Sequence, residues 1–261
     1  MAELTAAGQI PDVLFWVGCA GSFDDRAKRI TKAIARILNA SETSFAVLGQ
    51  EESCTGDPAK RAGNEFLYQM QAAQNIATLN GYGIKRIITG CPHCFNVLKN
   101  EYPELGGNYE VLHHTQFIRE LIENGKLRMA DGAPFKGKRI TFHDPCYLGR
   151  GNGEYLAPRE VIQKLDAELL EMRRCKQNAM CCGAGGAQMF KEAEKGDTEV
   201  NHERTNEALE NKPEVIATGC PFCNTMITDG VKNANKESEV EVKDIAELIA
   251  EAADLLDTPA P

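Results

Sequence analysis

The feature that most constrains this chain is a segment that occurs twice. Residues 87–94 read Ile-Ile-Thr-Gly-Cys-Pro-His-Cys, and residues 216–223 read Ile-Ala-Thr-Gly-Cys-Pro-Phe-Cys. Each copy closes a longer cysteine pattern: Cys19, Cys54, Cys91 and Cys94 in the first half, and Cys146, Cys181, Cys182, Cys220 and Cys223 in the second. Cys146 follows Cys19, and Cys181 follows Cys54, at a distance of 127 residues; Cys220 and Cys223 follow Cys91 and Cys94 at 129. An offset so nearly constant over four positions marks an internal duplication. Two copies of a thiolate set predict a protein with two metal sites.

An apolar run followed by Thr-Gly-Cys-Pro-x-Cys reads as a buried strand entering a tight turn and then a helix. Residues 13–17 are a similar run, continuous as for a strand buried on both faces. Strands are expected at 13–17, 44–48, 84–89, 109–112, 139–142, 169–172, 215–218 and 241–245. Helices are expected from Asp24 (with Ile30, Ala33, Ile34 and Ile37 on one face), at 59–79, from Pro92, and at 115–123, 158–165, 200–209 and 246–256. The polar character of 200–209 makes its helical pattern the weakest. Strands alternating with helices imply an α/β fold of parallel sheets with right-handed crossovers. The expected architecture is two pseudo-symmetric halves from internal duplication, each a small parallel sheet flanked by helices. Residues 1–10 form a loose leader, 11–130 and 138–256 the two cysteine-rich domains, and 257–261 a tail; the join near 128–138 holds Gly132, Pro134 and Gly137. Open α/β sheets bind ligands beyond the carboxyl ends of their strands. The motif cysteines fall at those ends, so the loops of each half are expected to converge on one point.

Location bears on what ten cysteines do. No apolar run approaches the ~20 residues of a spanning helix. Residues 1–9 lack the basic and apolar regions of a signal peptide. A cytoplasmic protein with no direct membrane span is expected, and in that reducing compartment grouped thiols bind metal or do redox chemistry rather than form disulfides. A net charge of −9 argues against a nucleic-acid or anionic membrane surface. It leaves docking on a protein partner open.

Iron–sulfur clusters are held by cysteine thiolates, and four suffice for a [4Fe–4S] cube. Zinc is the rival ion, because a four-cysteine zinc site also uses Cys-x-x-Cys. Zinc sites usually pair two such motifs, whereas here two ligands per half stand alone, and adjacent Cys181-Cys182 suits a multinuclear cluster better. The halves differ: Thr55 stands where Cys182 would, so the first site has four cysteines and the second has five. Cys175 lies outside the repeat and reads as a core or spare thiol. For His93, His113, His114 and His143, hydrogen bonding or packing is favoured over ligation, although a histidine beside a cluster can tune its potential. His202 has no motif. Lys60, Arg61, Arg150 and Arg159 read as solvated.

With these residues in place, the chain resembles the cysteine-rich CCG-domain proteins. Their pattern is a cysteine, then Cys-Cys-Gly, then Cys-Pro-x-Cys, twice over, and the likeness runs from about Trp16 to Leu256. The family includes the CCG-bearing component of heterodisulfide reductase and the iron–sulfur subunits of glycolate oxidase and anaerobic glycerol-3-phosphate dehydrogenase. Residues 16–24, 52–58, 91–96 and 143–150 look like one subgroup, the C-terminal module of membrane-bound, heterodisulfide-reductase-related iron–sulfur oxidoreductases. The resemblance implies two iron–sulfur clusters of the [4Fe–4S] kind, the one at Cys146, Cys181, Cys182, Cys220 and Cys223 noncubane. It implies an electron-transfer subunit that relays electrons between electron-transfer flavoprotein or a ferredoxin-like partner and a quinone-linked one. The ferredoxin-like and membrane parts are then expected on another, membrane-bound iron–sulfur subunit that brings the chain to the inner face of the membrane. Two alternatives stay open: a catalytic subunit that reduces a disulfide at a noncubane cluster, and a zinc-bound structural module.

Overall fold

A computed structural model describes residues 1–6, 8–130, 134–192 and 195–256; the expected tail 257–261 and Gly132 of the join lie outside the described residues. Strands β1 (Val13–Trp16), β2 (Phe45–Ala46), β3 (Arg86–Thr89) and β4 (Glu110–His113) form one sheet in the order β2-β1-β3-β4. Strands β5 (Arg139–Phe142), β6 (Glu168–Leu170), β7 (Val215–Thr218) and β8 (Glu241–Asp244) form a second in the order β6-β5-β7-β8. The pairs are parallel throughout, with Trp16 opposite Thr89 opposite His113 in one sheet and Thr218 opposite Asp244 in the other. The same order in both halves is the duplication made visible. The fold is α/β, with two similar halves.

Strand side chains alternate between faces, and here both faces are covered. Val13 and Phe15 of β1 point into one apolar cluster, while Leu14 and Trp16 point into another. The first cluster is shared by the two halves. In it Ile30, Ile34 and Ile37 of the helix Ala27–Ala40 meet Ile245, Leu248 and Ile249 of the helix Ile245–Ala252, and Phe117, Ile118 and Leu121 of the helix His114–Glu123 meet Val161 and Ile162 of the helix Leu156–Gln163. Each half thus packs its first inner helix on the other half's last. The outer faces are covered separately, by the helix Glu65–Gly81 in the first half and by the helices Val200–Glu210 and Pro221–Asn233 in the second.

Three local expectations are corrected. The helix expected at 59–79 is two helices, Asp57–Arg61 and Glu65–Gly81, because Gly63 turns at φ +87 and Asn64 caps the second by accepting from the Leu67 N–H at 3.1 Å. A short helix, Gly18–Phe23, precedes the one expected from Asp24. The stretch read as a loose leader contains a helix, Ala2–Ala6, and Met1 and Leu4 pack against the outer core of the first half.

Candidate metal centre

The first thiol set stands beyond β1, β2 and β3. Cys19 lies in the helix that follows β1, Cys54 in the loop beyond β2, and Cys91 caps the helix Pro92–Asn96 that carries Cys94. Proline at the first helical position needs no N–H partner. Cys19 contacts Cys54, and Cys91 contacts Cys94. The second set repeats this beyond β5, β6 and β7: Cys146 contacts Cys181, and the Cys182 Sγ lies 3.3 Å from the Cys223 Sγ. Thr55 takes the place of Cys182, and its hydroxyl donates to the Cys94 Sγ at 3.9 Å. The next residue is a left-handed glycine in both halves, at φ +91 for Gly56 and +92 for Gly183. Their N–H groups donate to the Cys54 Sγ at 3.5 Å and to the Cys181 Sγ at 3.3 Å. Such a backbone conformation is costly for any residue with a Cβ.

The two sets touch. The Cys91 and Cys220 sulfurs, one from each half, lie with a ring nitrogen of His93 within 4.8 Å of one another. A ring nitrogen of His143 and the sulfurs of Cys182 and Cys223 form a second group within the same distance. Cys91, Cys94, Cys182, Cys220 and Cys223 are buried, and Cys19, Cys54, Cys146 and Cys181 are half-buried. Crowding splits their acidities. The hydrogen bond from Cys146 drives Cys181 well below the ordinary thiol range and drives Cys146 up in return. Cys91 is lowered by its bonds to Cys220 and Cys94, while burial raises Cys220. Nine sulfurs this close cannot all ionise without cations between them, and thiolates are the donors that iron–sulfur clusters use. The donor set fits such a group. Cys175 lies apart, among Glu171, Asp144, Arg159 and Lys176.

The histidines bind parts of the protein to one another. His93 lies inside the first Cys-x-x-Cys, yet its ring packs on Tyr147 at 4.4 Å and Phe222 at 5.4 Å, both from the second half. His113 Nδ1 is 2.7 Å from the Thr115 Oγ1, and its Nε2 donates to the Gly219 carbonyl at 3.0 Å, again across the halves. His114 Nε2 lies 3.0 Å from the Asp244 Oδ1, without hydrogen-bond alignment. Burial pushes Asp244 up to about 8 and His114 down to about 3, so both are neutral near pH 7. Burial likewise pushes His143 down to about 3, with Arg204 beside it adding to the shift.

Several supporting residues were not singled out by the sequence pattern. Glu52 accepts the N–H groups of Val17 at 3.1 Å and Gly18 at 2.6 Å, tying the turn before Cys19 to the loop before Cys54. Burial pushes its carboxyl up to about 7. Arg159, read as solvated, is buried: its fork meets both oxygens of Asp144 at 2.8 and 2.9 Å, and Asp144 also accepts the Lys176 N–H at 2.8 Å. That pair joins the turn before Cys146 to the loop leading to Cys181. Lys60 and Arg61 are half-buried and paired with Glu101. Arg204 is fully enclosed and donates through Nε to the His143 Nδ1 at 3.0 Å. An apolar recess of about 350 Å³ beside Cys19 is lined by Phe23, Phe190 and Phe222, the first two mostly exposed.

Comparison with known proteins agrees with this geometry. The cysteine-rich domain family, CCG, matches residues 13–99 and 140–228, one copy in each half. The chain is 46% identical over 247 residues to the EtfAB:quinone oxidoreductase of Syntrophomonas wolfei, covering 92% of this chain and 34% of that protein. It is 44% identical over 251 residues to the Bacillus subtilis protein named "Probable iron-sulfur-binding oxidoreductase FadF", covering 96% and 35%. It is 35% identical over 253 residues to one subunit of the dihydromethanophenazine:CoB–CoM heterodisulfide reductase of Methanosarcina barkeri, covering 94% and 59%. The chain therefore spans about a third of the first two relatives and over half of the third. The relatives' names, the family match and the gathered thiols together support iron–sulfur binding. With one match in each half and its cysteines gathered at both sheets, the chain belongs to the cysteine-rich CCG-domain family.

Proposed function

We propose that this chain is the iron–sulfur electron-transfer module of a heterodisulfide-reductase-like oxidoreductase. The observation that carries the reading is the pair of thiol sets at equivalent sheet ends, in contact through Cys91 and Cys220. Cys19, Cys54, Cys91 and Cys94 would hold one [4Fe–4S] cluster; Cys146, Cys181, Cys182, Cys220 and Cys223 would hold a second, noncubane one, since a fifth thiolate exceeds the four a cube needs. Bound clusters supply one-electron storage and transfer. The protein's own residues position the sulfurs beyond the strands, keep five of the nine out of water, and donate N–H groups to Cys54 and Cys181. The half-buried sulfurs mark the sides on which electrons would enter and leave.

The partners follow from what the relatives are named for. One is an electron-transfer-flavoprotein:quinone oxidoreductase and another belongs to a heterodisulfide reductase. An electron-transfer flavoprotein or ferredoxin-like donor and a quinone-linked, membrane-bound iron–sulfur subunit are the proposed neighbours, with the chain on the cytoplasmic face of the membrane through that neighbour. Among the described residues no helix is long and apolar enough to cross a membrane. The acidic surface, at a net −9, suits docking on a basic protein face.

Anaerobic purification tests this. The protein is expected to be brown, with about eight iron atoms per chain, four for each [4Fe–4S] site. Stoichiometric zinc without iron after reconstitution would overturn the reading. With reduced viologen as donor and simple disulfides as acceptors, the isolated chain is expected to turn over slowly or not at all. Fast turnover would transfer the assignment to a disulfide-reducing catalytic role.

A further inference from the structure

Two buried N–H groups without a partner occupy the same place in the two halves. His143 stands three residues before Cys146, as Trp16 stands three before Cys19. Both side chains are fully enclosed, and neither His143 Nε2 nor Trp16 Nε1 has a hydrogen-bond partner among the described residues. Orphaned buried donors are rare, because each forfeits the hydration it had in the unfolded chain. Each of these two sits beside sulfur. Trp16 shares its apolar cluster with Cys91 and Cys94, and a His143 ring nitrogen lies within 4.8 Å of the Cys182 and Cys223 sulfurs.

The tautomer of His143 is set by its other nitrogen. Arg204 Nε donates to Nδ1 at 3.0 Å. A guanidinium has donors only, so Nδ1 is the acceptor and the proton of the neutral imidazole sits on Nε2. Arg204 is itself fixed, with its Nη1 donating to the Arg174 carbonyl at 2.8 Å and to the Glu207 Oε2 at 2.9 Å. With one nitrogen protonated and the other engaged by Arg204, neither has a lone pair free for a metal. What remains is a directed N–H beside two thiols.

We propose that His143 donates its Nε2–H to sulfur of the cluster held by the second thiol set, in the tautomer Arg204 imposes, and that this bond raises the cluster's reduction potential. The inference rests on the iron–sulfur reading above. A cluster gains negative charge on reduction, and a donor to its sulfur stabilises the more negative state more strongly. The indole N–H of Trp16 offers the first site the equivalent donor. His143 and Arg204 are positioning residues: one acts on sulfur, the other on the tautomer.

The test uses the anaerobically reconstituted full chain. Iron and sulfide are counted first; wild-type protein that takes up no iron overturns the iron–sulfur reading and this inference with it, and the later outcomes bear on the inference alone. Redox titrations followed by EPR then compare wild type, His143→Leu and His143→Gln. The glutamine carboxamide accepts from Arg204 and donates onward, so it keeps the polarity of the histidine. His143→Leu is expected to retain its iron and to weaken reduction of the second cluster about tenfold, equivalent to ~59 mV for a one-electron couple. His143→Gln should recover most of that shift, and the first cluster should not move in either variant. Should the leucine variant lose its cluster, pulsed EPR of the wild type in D₂O with ¹⁵N-labelled histidine decides. A weakly coupled exchangeable deuteron together with a weak nitrogen coupling is expected. Equal potentials in wild type and His143→Leu, absence of that deuteron, or the strong nitrogen coupling of direct ligation would each overturn the proposal.

Discussion

Thr55 and Cys182 hold one position in the two halves, and the difference between an oxygen and a sulfur there separates the sites. The Cys182 sulfur stands 3.3 Å from Cys223; the Thr55 hydroxyl donates to the Cys94 sulfur at 3.9 Å. A hydroxyl of ordinary pKa stays protonated and acts as a donor, whereas a thiolate binds iron. Cys182→Ser is therefore expected to change the EPR and optical spectrum of the second cluster and leave the first alone. Thr55→Cys is expected to do the converse, giving the first site a fifth thiol beside Cys94. A Cys182→Ser protein with both spectra unchanged would show that the fifth thiol plays no part. The glycine that follows carries equal weight in both halves. A Cβ on Gly56 would stand 2.7 Å from the Tyr68 ring and 3.3 Å from the Tyr68 carbonyl oxygen, in a backbone conformation that already disfavours one. The N–H that reaches Cys54 is thus available only while residue 56 is glycine.

Helix termini and inner faces set the environment of these sulfurs. The helix Ile245–Ala252 begins at a capping box in which Asp244 accepts the Ala246 N–H at 3.0 Å and Glu247 accepts the Asp244 N–H at 2.9 Å. Burial pushes the Glu247 carboxyl from its ordinary 4.5 up to about 7. Below pH 4.5 both folded and unfolded chains hold this proton, and the stabilisation is complete. Between pH 4.5 and 7 only the folded chain holds it, so stability falls as the pH rises, by at most ~1.4 kcal/mol per unit. Glu247→Gln removes the titration. The wild type is expected to lose stability relative to that variant from pH 4.5 to 7 and to run parallel above 7, read from melting temperatures of protein prepared anaerobically. A constant difference across that window would refute the assignment. The helix Val200–Glu210 shows why one element was hard to read in the sequence. Its inward side carries Asn201, Arg204, Thr205 and Glu207, all buried, because it faces His143 and Arg174 rather than an apolar layer. Periodicity of apolar residues cannot report a face whose burial is polar. The continuous runs of β1, β3 and β7 were legible for the opposite reason, being apolar on both sides.

At the scale of the whole molecule the halves are joined twice, through a common core and through their sulfurs. The exchange of inner helices places Ile34 and Ile37 against Leu248 and Ile249, and across that frame the turns of β3 and β7 bring Cys91 beside Cys220. The offset between cysteine sets showed which thiols gather in each half. It did not show that the two sets touch, since that depends on the rotation between halves, which the shared helices fix. His93 and His113 follow the same logic: each belongs to the first half by sequence and rests on the second. Contact between the sets has a magnetic consequence. With Cys91 and Cys220 sulfurs within 4.8 Å, two clusters held by these sets would be neighbours, and two unpaired spins so close interact. In protein reduced at both sites, EPR is expected to show a broadened or split signal rather than the sum of two independent spectra. Protein poised so that only one cluster is reduced should give an unsplit signal. Cys223→Ser, aimed at the second site, should return the fully reduced spectrum to that simpler form. The ligand Cys220 remains in that variant, so the first site keeps its neighbouring sulfur while the second spin is lost. Additive, unbroadened spectra at full reduction would mean that the clusters do not sit on the two sets in contact, and the nine-cysteine assignment would have to be redrawn.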